Sequence, residues 1–420
     1  MTTAGTVSAS APRPTKSGAR GGRPRSGRPL GTTADNPSTA GQQAAREDRR
    51  RARRADAIAW RERLWNWSSL PRLRNCGRVT HSSAGGPVLR VSETPAGRRA
   101  GLAGLQSCGS PWACPVCARR IAGERSGELL AVLEAVHAAR GTAHLVTLTM
   151  RHRAGQRLGE LWGALSAAWG AVTSGRQCER ERAAWGLLGW VRVVEATHGE
   201  HGWHLHVHAL AVFDGPVSPD LAGELGRRWF HRWANALARK GMDAVENRGG
   251  LDVRPVQMTA PSMEQVADYL AKITAEVTAQ SAKDGRDGNR SPFAVLRDAL
   301  ATGLADDCEL WLEWERASFN RRQITWSRDL RSWAGLRSER SDEEIVSDEL
   351  GGRDTLAIDP EDWPAVRSHV AVLLDVAETT GVDAVKAWLQ VRGYRWSPAT
   401  PRPRRTHRPD HPQWTQRRTP

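Results

Sequence analysis

Residues 203–213, WHLHVHALAVF, constrain this chain more than any other stretch. Imidazole and apolar side chains alternate through His204, Leu205, His206, Val207 and His208, and the continuation is apolar throughout. A period of two suits a strand and no helix. The three imidazoles therefore fall on one face, with Leu205, Val207 and Ala209 on the other. Such a strand needs partners, and the flanking sequence supplies them. AHLVTLTM (143–150) and LGWVRVVEAT (188–197) read as strands, as does LDVRPVQM (251–258). Residues 158–172 and 221–238 carry apolar side chains at helical spacing. The order β-α-β-β-α-β predicts an α+β fold of ferredoxin-like topology, an antiparallel sheet with both helices on one face.

A further helix is expected from Ser262, a candidate N-cap, through Met263, Val266, Tyr269 and Leu270 to Ile273. Residues 304–337 also read as helical, and residues 363–395 read as a helical hairpin broken at Thr379, Thr380 and Gly381. With 420 residues there is room for two or three domains. The longest apolar runs stop well short of the roughly 20 residues that a membrane-spanning helix needs.

Charge divides the chain unevenly. The net +15 concentrates at the two ends, with 12 Lys/Arg against four Asp/Glu in residues 1–56 and six against one in residues 396–420. Both ends are poor in apolar residues or rich in proline, and both are expected to be disordered basic arms. Residues 338–362 are strongly acidic and read as a linker. This leaves 57–140 as a Cys-rich region and 141–337 as the main domain. An excess of arginine favours a polyanionic partner, since each neutralised phosphate releases counterions. The first residues hold no apolar core of the kind a secretory signal needs, so a cytoplasmic location is expected.

Three groups carry chemistry. His204, His206 and His208 at strand spacing suit a divalent cation, commonly completed by a carboxylate. A turn centred between Gly199 and Glu200 would set Glu195 opposite His204. Tyr269 is one of two tyrosines in the chain and has Lys272 one helical turn beyond. A phenol attacks only a polarised target at neutral pH. Cys114-Pro-Val-Cys117, with Cys108 and Cys76 upstream, suits a closed tetrahedral Zn²⁺ site, His81 rivalling Cys76 as the fourth ligand. Cys178 and Cys308 fall in helical segments and are expected to be packed. Most of the 19 tryptophans are expected in the core, Trp203 and Trp326 being the two candidates for base stacking.

The segments LVTLT (145–149), GWHLHVHAL (202–210), DYLAK (268–272) and RRQITWSRDLR (321–331) together resemble the HUH endonucleases, and within them the rolling-circle replication initiators (Rep) of small bacterial plasmids. The resemblance implies a metal-dependent nickase. His206 and His208 would be the metal pair for Mg²⁺ or Mn²⁺, His204 or Glu195 the further ligand, Tyr269 the nucleophile, and Lys272 a support for the scissile phosphate. It further implies plasmid origin DNA, single-stranded or as an extruded hairpin, as substrate, and host helicase and polymerase as partners. Relatives of this type often carry a glutamate one turn before the tyrosine to activate water at termination; this chain has Gln265, with Glu264 and Asp268 nearby. An HUH relaxase or transposase, or a non-catalytic zinc-containing DNA-binding regulator, are the rival readings.

Overall fold

A computed structural model describes residues 40–81, 85–95, 97–272, 288–347 and 352–399. The chain opens with helices α1 (Ala40–Trp67) and α2 (Pro71–Asn75), the hairpin β1 (Val88–Thr94) and β2 (Gly97–Ala103), and α3 (Pro115–Ala138). Then follow β3 (Thr142–Thr149), α4 (Leu158–Thr173), α5 (Arg176–Trp185), β4 (Leu187–Gly199), β5 (Gly202–Phe213), α6 (Pro219–Ala238) and β6 (Leu251–Pro255). Next are α7 (Ala260–Lys272), α8 (Pro292–Thr302), α9 (Ala305–Ser318), β7 (Ile324–Trp326), α10 (Leu330–Trp333) and α11 (Asp342–Ser347). The chain closes with β8 (Arg353–Ile358), α12 (Trp363–Val366), α13 (Val370–Thr379), α14 (Val382–Val391) and β9 (Trp396–Pro398). Among the described residues no helix is long and apolar enough to cross a membrane.

The fold is α+β, with two antiparallel sheets. The larger has the order β6-β3-β5-β4-β7, so β5 is central between β3 and β4, and the short β7 closes one edge. The alternation of β5 sorts its two faces. Leu205, Val207, Ala209 and Ala211 pack with Leu161, Leu165 and Trp169 of α4 and Trp229 and Trp233 of α6. On the other face Leu210 and Val212 pack with Leu129, Leu133 and Val136 of α3 and Val266 and Leu270 of α7. The imidazoles share that second face. Helix boundaries follow local chemistry: Ser218 accepts from Leu221 N ahead of Pro219 in α6, and Ser291 accepts from Ala294 N ahead of Pro292 in α8.

The smaller sheet, β2-β1-β8-β9, corrects the division expected from composition. The acidic stretch 338–362 is no linker, because α11 and β8 fall inside it and β8 pairs with β1. Arg90 meets Asp354 there, a charge pair on adjacent strands. The β1–β2 hairpin and the C-terminal hairpin α13–α14 thus share a core of Leu89, Leu356, Trp363, Leu373 and Leu389, while Cys76, Cys108, Cys114 and Cys117 belong to the core of the larger sheet.

The basic arm is corrected over 40–56. Those residues lie in α1, where Arg50 and Arg54 both bind the buried Glu378 of α13 at 2.5 Å. An arginine run forms helix when its charges have a buried carboxylate to meet. Residues 1–39, and 400–420 of the tail expected from 396, lie outside the described residues. Within that tail, 396–398 form β9, and 304–337 divides into α9, β7 and α10 rather than one helix.

Candidate active site

The β4–β5 hairpin is tighter than its sequence suggests. Gly199 pairs with Gly202 across a two-residue turn of Glu200 and His201, and Gly202 takes φ +85°. Glu195 therefore lies opposite His206, and Thr197 opposite His204. This corrects the register by one pairing along the same face and changes the partner of the carboxylate.

His206 Nε2 lies 2.5 Å and His208 Nε2 2.7 Å from the same oxygen, Glu195 Oε2. Ligand atoms of all three residues fall within 4.8 Å of one another. His204 stays outside the group and stacks instead on His152, ring centroids 4.7 Å apart. His208 is further fixed from the neighbouring strand, its Nδ1 lying 3.0 Å from Thr147 Oγ1 on β3. That bond turns Nε2 toward the shared point, as the outer partners of metal-binding histidines do. Burial lifts the Glu195 carboxyl, yet hydrogen bonds from His206 and His208 outweigh it and hold the group well below the usual carboxylate range. Burial lowers His208, partly offset by Glu195. Burial, with His206 and His152 close by, pushes His204 down to about 3, so its ring is neutral at physiological pH. A carboxylate and two imidazoles converging on one point fit a divalent cation.

Tyr269 stands over this group from α7. Its ring packs edge-on to His208 at 5.7 Å, and the side chain is 43% exposed. Helix α7 begins at Ala260, two residues before the expected cap, and buries Met263, Val266, Ala267 and Leu270, which leaves Tyr269 on its open side. Asp268 accepts from Ser126 Oγ of α3 at 2.6 Å, tying it to a neighbouring helix. Gln265 is half-buried and Glu264 exposed. Lys272 ends α7, its side chain lying outside the described residues.

The second group sits where α2, the loop after β2 and α3 meet. Cys76 caps α2, Pro115 opens α3 so that Cys114 is its N-cap, and Cys117 falls in the first turn. Cys108 comes from the loop. Gly109, with φ +66°, follows it where a side chain would strike Glu343. All four thiols are buried and unbridged. Sulfur separations are 3.7 Å for Cys76–Cys114, 3.6 Å for Cys76–Cys117 and 3.7 Å for Cys108–Cys117. A tetrahedron with metal–sulfur bonds of about 2.3 Å has edges of about 3.8 Å, so the quartet fits a zinc-type site. Cys76 is the fourth member; His81 is exposed and outside the group. Cys178 and Cys308 lie apart from it.

A family model described as a replication protein matches residues 100–361, from β2 to the segment after β8. The chain belongs to that replication protein family. The stretch matched in this replication protein holds Cys108, Cys114, Cys117, Glu195, His206, His208 and Tyr269. Among curated relatives it is 29% identical over 363 residues to Protein rep of Streptomyces lividans, a match covering 70% of this chain and 79% of the relative. It is 33% identical over 150 residues to a protein of Streptomyces cyanogenus named neomycin resistance protein, covering 30% of this chain and 34% of that one. No solved structure gives a significant match.

Trp203 is not available for stacking on a base. It is buried, donates its Nε1 to Glu313 at 3.0 Å and stacks on Trp314. Trp326 is half-buried with Arg331 over its ring at 4.8 Å. Thr147 and His152 escape a reading by motif. Thr147 had a visible signal, since on a strand Thr147 and Thr149 are the polar members of one face, the face toward which His206 and His208 point.

Proposed function

We propose that this replication protein is a plasmid rolling-circle initiator that nicks single-stranded origin DNA and stays joined to it. The observation that carries the reading is Tyr269 standing over the convergence of Glu195, His206 and His208. In the step proposed, the Tyr269 oxygen forms a bond to the scissile phosphorus and the bond to the 3′ oxygen breaks. The 3′ oxygen leaves with the electron pair and takes up a proton equivalent to the one the phenol gives up. One ester replaces another, leaving a 5′-phosphotyrosyl link and a 3′ hydroxyl primer.

Glu195, His206 and His208 would hold Mg²⁺ or Mn²⁺, which when bound neutralises charge on the phosphoryl oxygens. Thr147 keeps the His208 ring turned to the site. Lys272, one turn beyond the tyrosine, is assigned to the scissile phosphate. The cysteine quartet is assigned a structural Zn²⁺. The strand order β6-β3-β5-β4, with α4 and α6 together on one face, supports a ferredoxin-like HUH core spanning 141–337. A cytoplasmic location, with origin DNA, host helicase and polymerase as partners, follows from the same reading.

The test is incubation with origin-bearing single-stranded DNA and Mn²⁺, followed by denaturing electrophoresis. A covalent adduct lost in Tyr269→Phe, with DNA binding retained, is the expected result. Undiminished adduct in that variant would remove Tyr269 from its role, and absence of any adduct would favour a non-catalytic regulator.

A further inference from the structure

The segment RRQITWSRDLR is not accounted for by the nicking site, although it forms the edge of the same sheet. Strand β7 pairs with β4 through Val193 and Ile324, and Val194 N donates to Gln323 O at 3.1 Å. Continued by one residue, that register sets Arg322 level with Glu195. Arg322 itself lies in the loop two residues before β7 opens at Ile324, so it approaches the Glu195 end of β4 from the sheet edge. The Arg322 side chain is 72% exposed, and its one ion pair among the described residues is a long 3.8 Å approach to Glu339. Exposed pairs of that kind contribute little. Arg192, on β4, donates to the Arg322 carbonyl at 3.4 Å and is itself lowered by burial to about 10.

The rest of the edge has the same character. Residues 319–333 hold four arginines and one acid, Asp329. Arg328 is exposed and meets no hydrogen-bond or ion-pair partner among the described residues. Phe319 and Trp333 are 53% and 39% exposed, large aromatic surfaces where a purely structural edge would bury or avoid them. The arginines nearer the core differ: Arg321 covers Trp162 and Arg331 binds Glu128.

We propose that residues 319–333 form a landing surface for the single-stranded DNA flanking the scissile phosphate. Arg322 is a phosphate-binding side chain at the Glu195 end of the edge, Arg328 an outer one, and Phe319 a stacking face. Cationic side chains interleaved with exposed aromatics match a single strand, whose phosphates and bases are both open, better than a duplex with its bases paired inward. The proposal rests on the nicking reading for its direction, since it supposes that a strand must reach Glu195.

The experiment is fluorescence anisotropy across a salt series with the full chain carrying Tyr269→Phe, which keeps the DNA intact, and a labelled mixed-sequence single-stranded 20-mer. Arg322→Ala with Arg328→Ala is expected to weaken binding roughly tenfold or more. The slope of log affinity against log salt should fall by about 1.4, near 0.7 for each phosphate no longer neutralised. Arg322→Lys, alone, should keep the slope. Phe319→Ala should weaken single-strand binding roughly tenfold with the slope intact and leave duplex binding unchanged. Wild-type slope and affinity in the double arginine variant, or an equal weakening on duplex DNA, overturns the surface. Nicking by the unsubstituted protein is scored in parallel. Arginine-dependent binding without nicking defeats the nickase reading and leaves the surface standing, while nicking with an unaltered slope does the reverse.

Discussion

The two candidate metal groups are built on opposite plans. The cysteine quartet uses four soft ligands of one kind, all buried, at separations that already suit a tetrahedron. The Glu195–His206–His208 group uses three mixed ligands on a sheet face, beneath a tyrosine that is 43% exposed. A closed shell excludes substrate and adds to folding, whereas an open one keeps a coordination position and adds to chemistry. One chain therefore carries a site whose loss should unmake the fold and a site whose loss should leave the fold standing.

Cys114→Ser is the sharpest way to break that contrast. Structural zinc sites contribute on the order of 10 kcal/mol, so the variant should lose its metal by elemental analysis and much of its soluble yield. A Cys114→Ser protein that melts like the parent would reduce the quartet to ordinary thiols. Glu378→Gln comes next, because it leaves Arg50 and Arg54 facing a neutral group; breaking a buried pair of this kind costs about 3 kcal/mol. Burial raises the Glu378 carboxyl, but hydrogen bonds and charge from Arg50, Arg54 and Ala100 N hold it below its ordinary value. Its contribution is therefore complete above a pH of about 4.3 and is lost as pH falls through the depressed folded value. Urea titrations between pH 3 and 6 should show a steeper acid loss in the parent than in Glu378→Gln, and parallel curves would refute the clasp.

His206→Ala should lower stability in urea titrations by less than about 1 kcal/mol, yet lower metal-dependent cleavage on the order of 100-fold or more. Calorimetry finding the parent's Mn²⁺ affinity in that variant would separate His206 from the metal. The mildest change is Thr147→Val, which keeps the strand and removes the partner of His208 Nδ1. It should weaken Mn²⁺ binding about tenfold with an unchanged melting temperature. An unchanged Mn²⁺ affinity would make Thr147 a bystander.

What is legible in the sequence is whatever local periodicity controls. The elements from β3 to β6, α5 excepted, follow from alternation and helical spacing, and His206, His208 and Tyr269 stand out by their residue types. The partner of Glu195 does not, because it depends on whether the turn centres between Gly199 and Glu200 or between Glu200 and His201, and one such step moves every pairing on the hairpin. The acidic segment misleads for a different reason. Its charge resembles that of a solvated linker, but RDTLAI pairs with a strand 264 residues away, a distance over which composition carries no signal. The arginines of α1 mislead likewise, since Glu378 lies 324 residues from Arg54.

The pairing of β1 with β8 also sets a schedule for the ribosome. All strands from β3 to β7 have been made while β1 still shows one unpaired edge, because Asp354 is synthesised 264 residues after Arg90. At about 5–20 residues per second that edge waits roughly 15–50 s. The larger sheet can close first, and the chain end must then return to a hairpin left open near the start. A strand edge kept unpaired in this way is a ready template for pairing with other nascent chains. Chaperone demand during expression should accordingly peak before residue 350 emerges, and chains ending short of β8 should aggregate through β1 even though their larger sheet is complete.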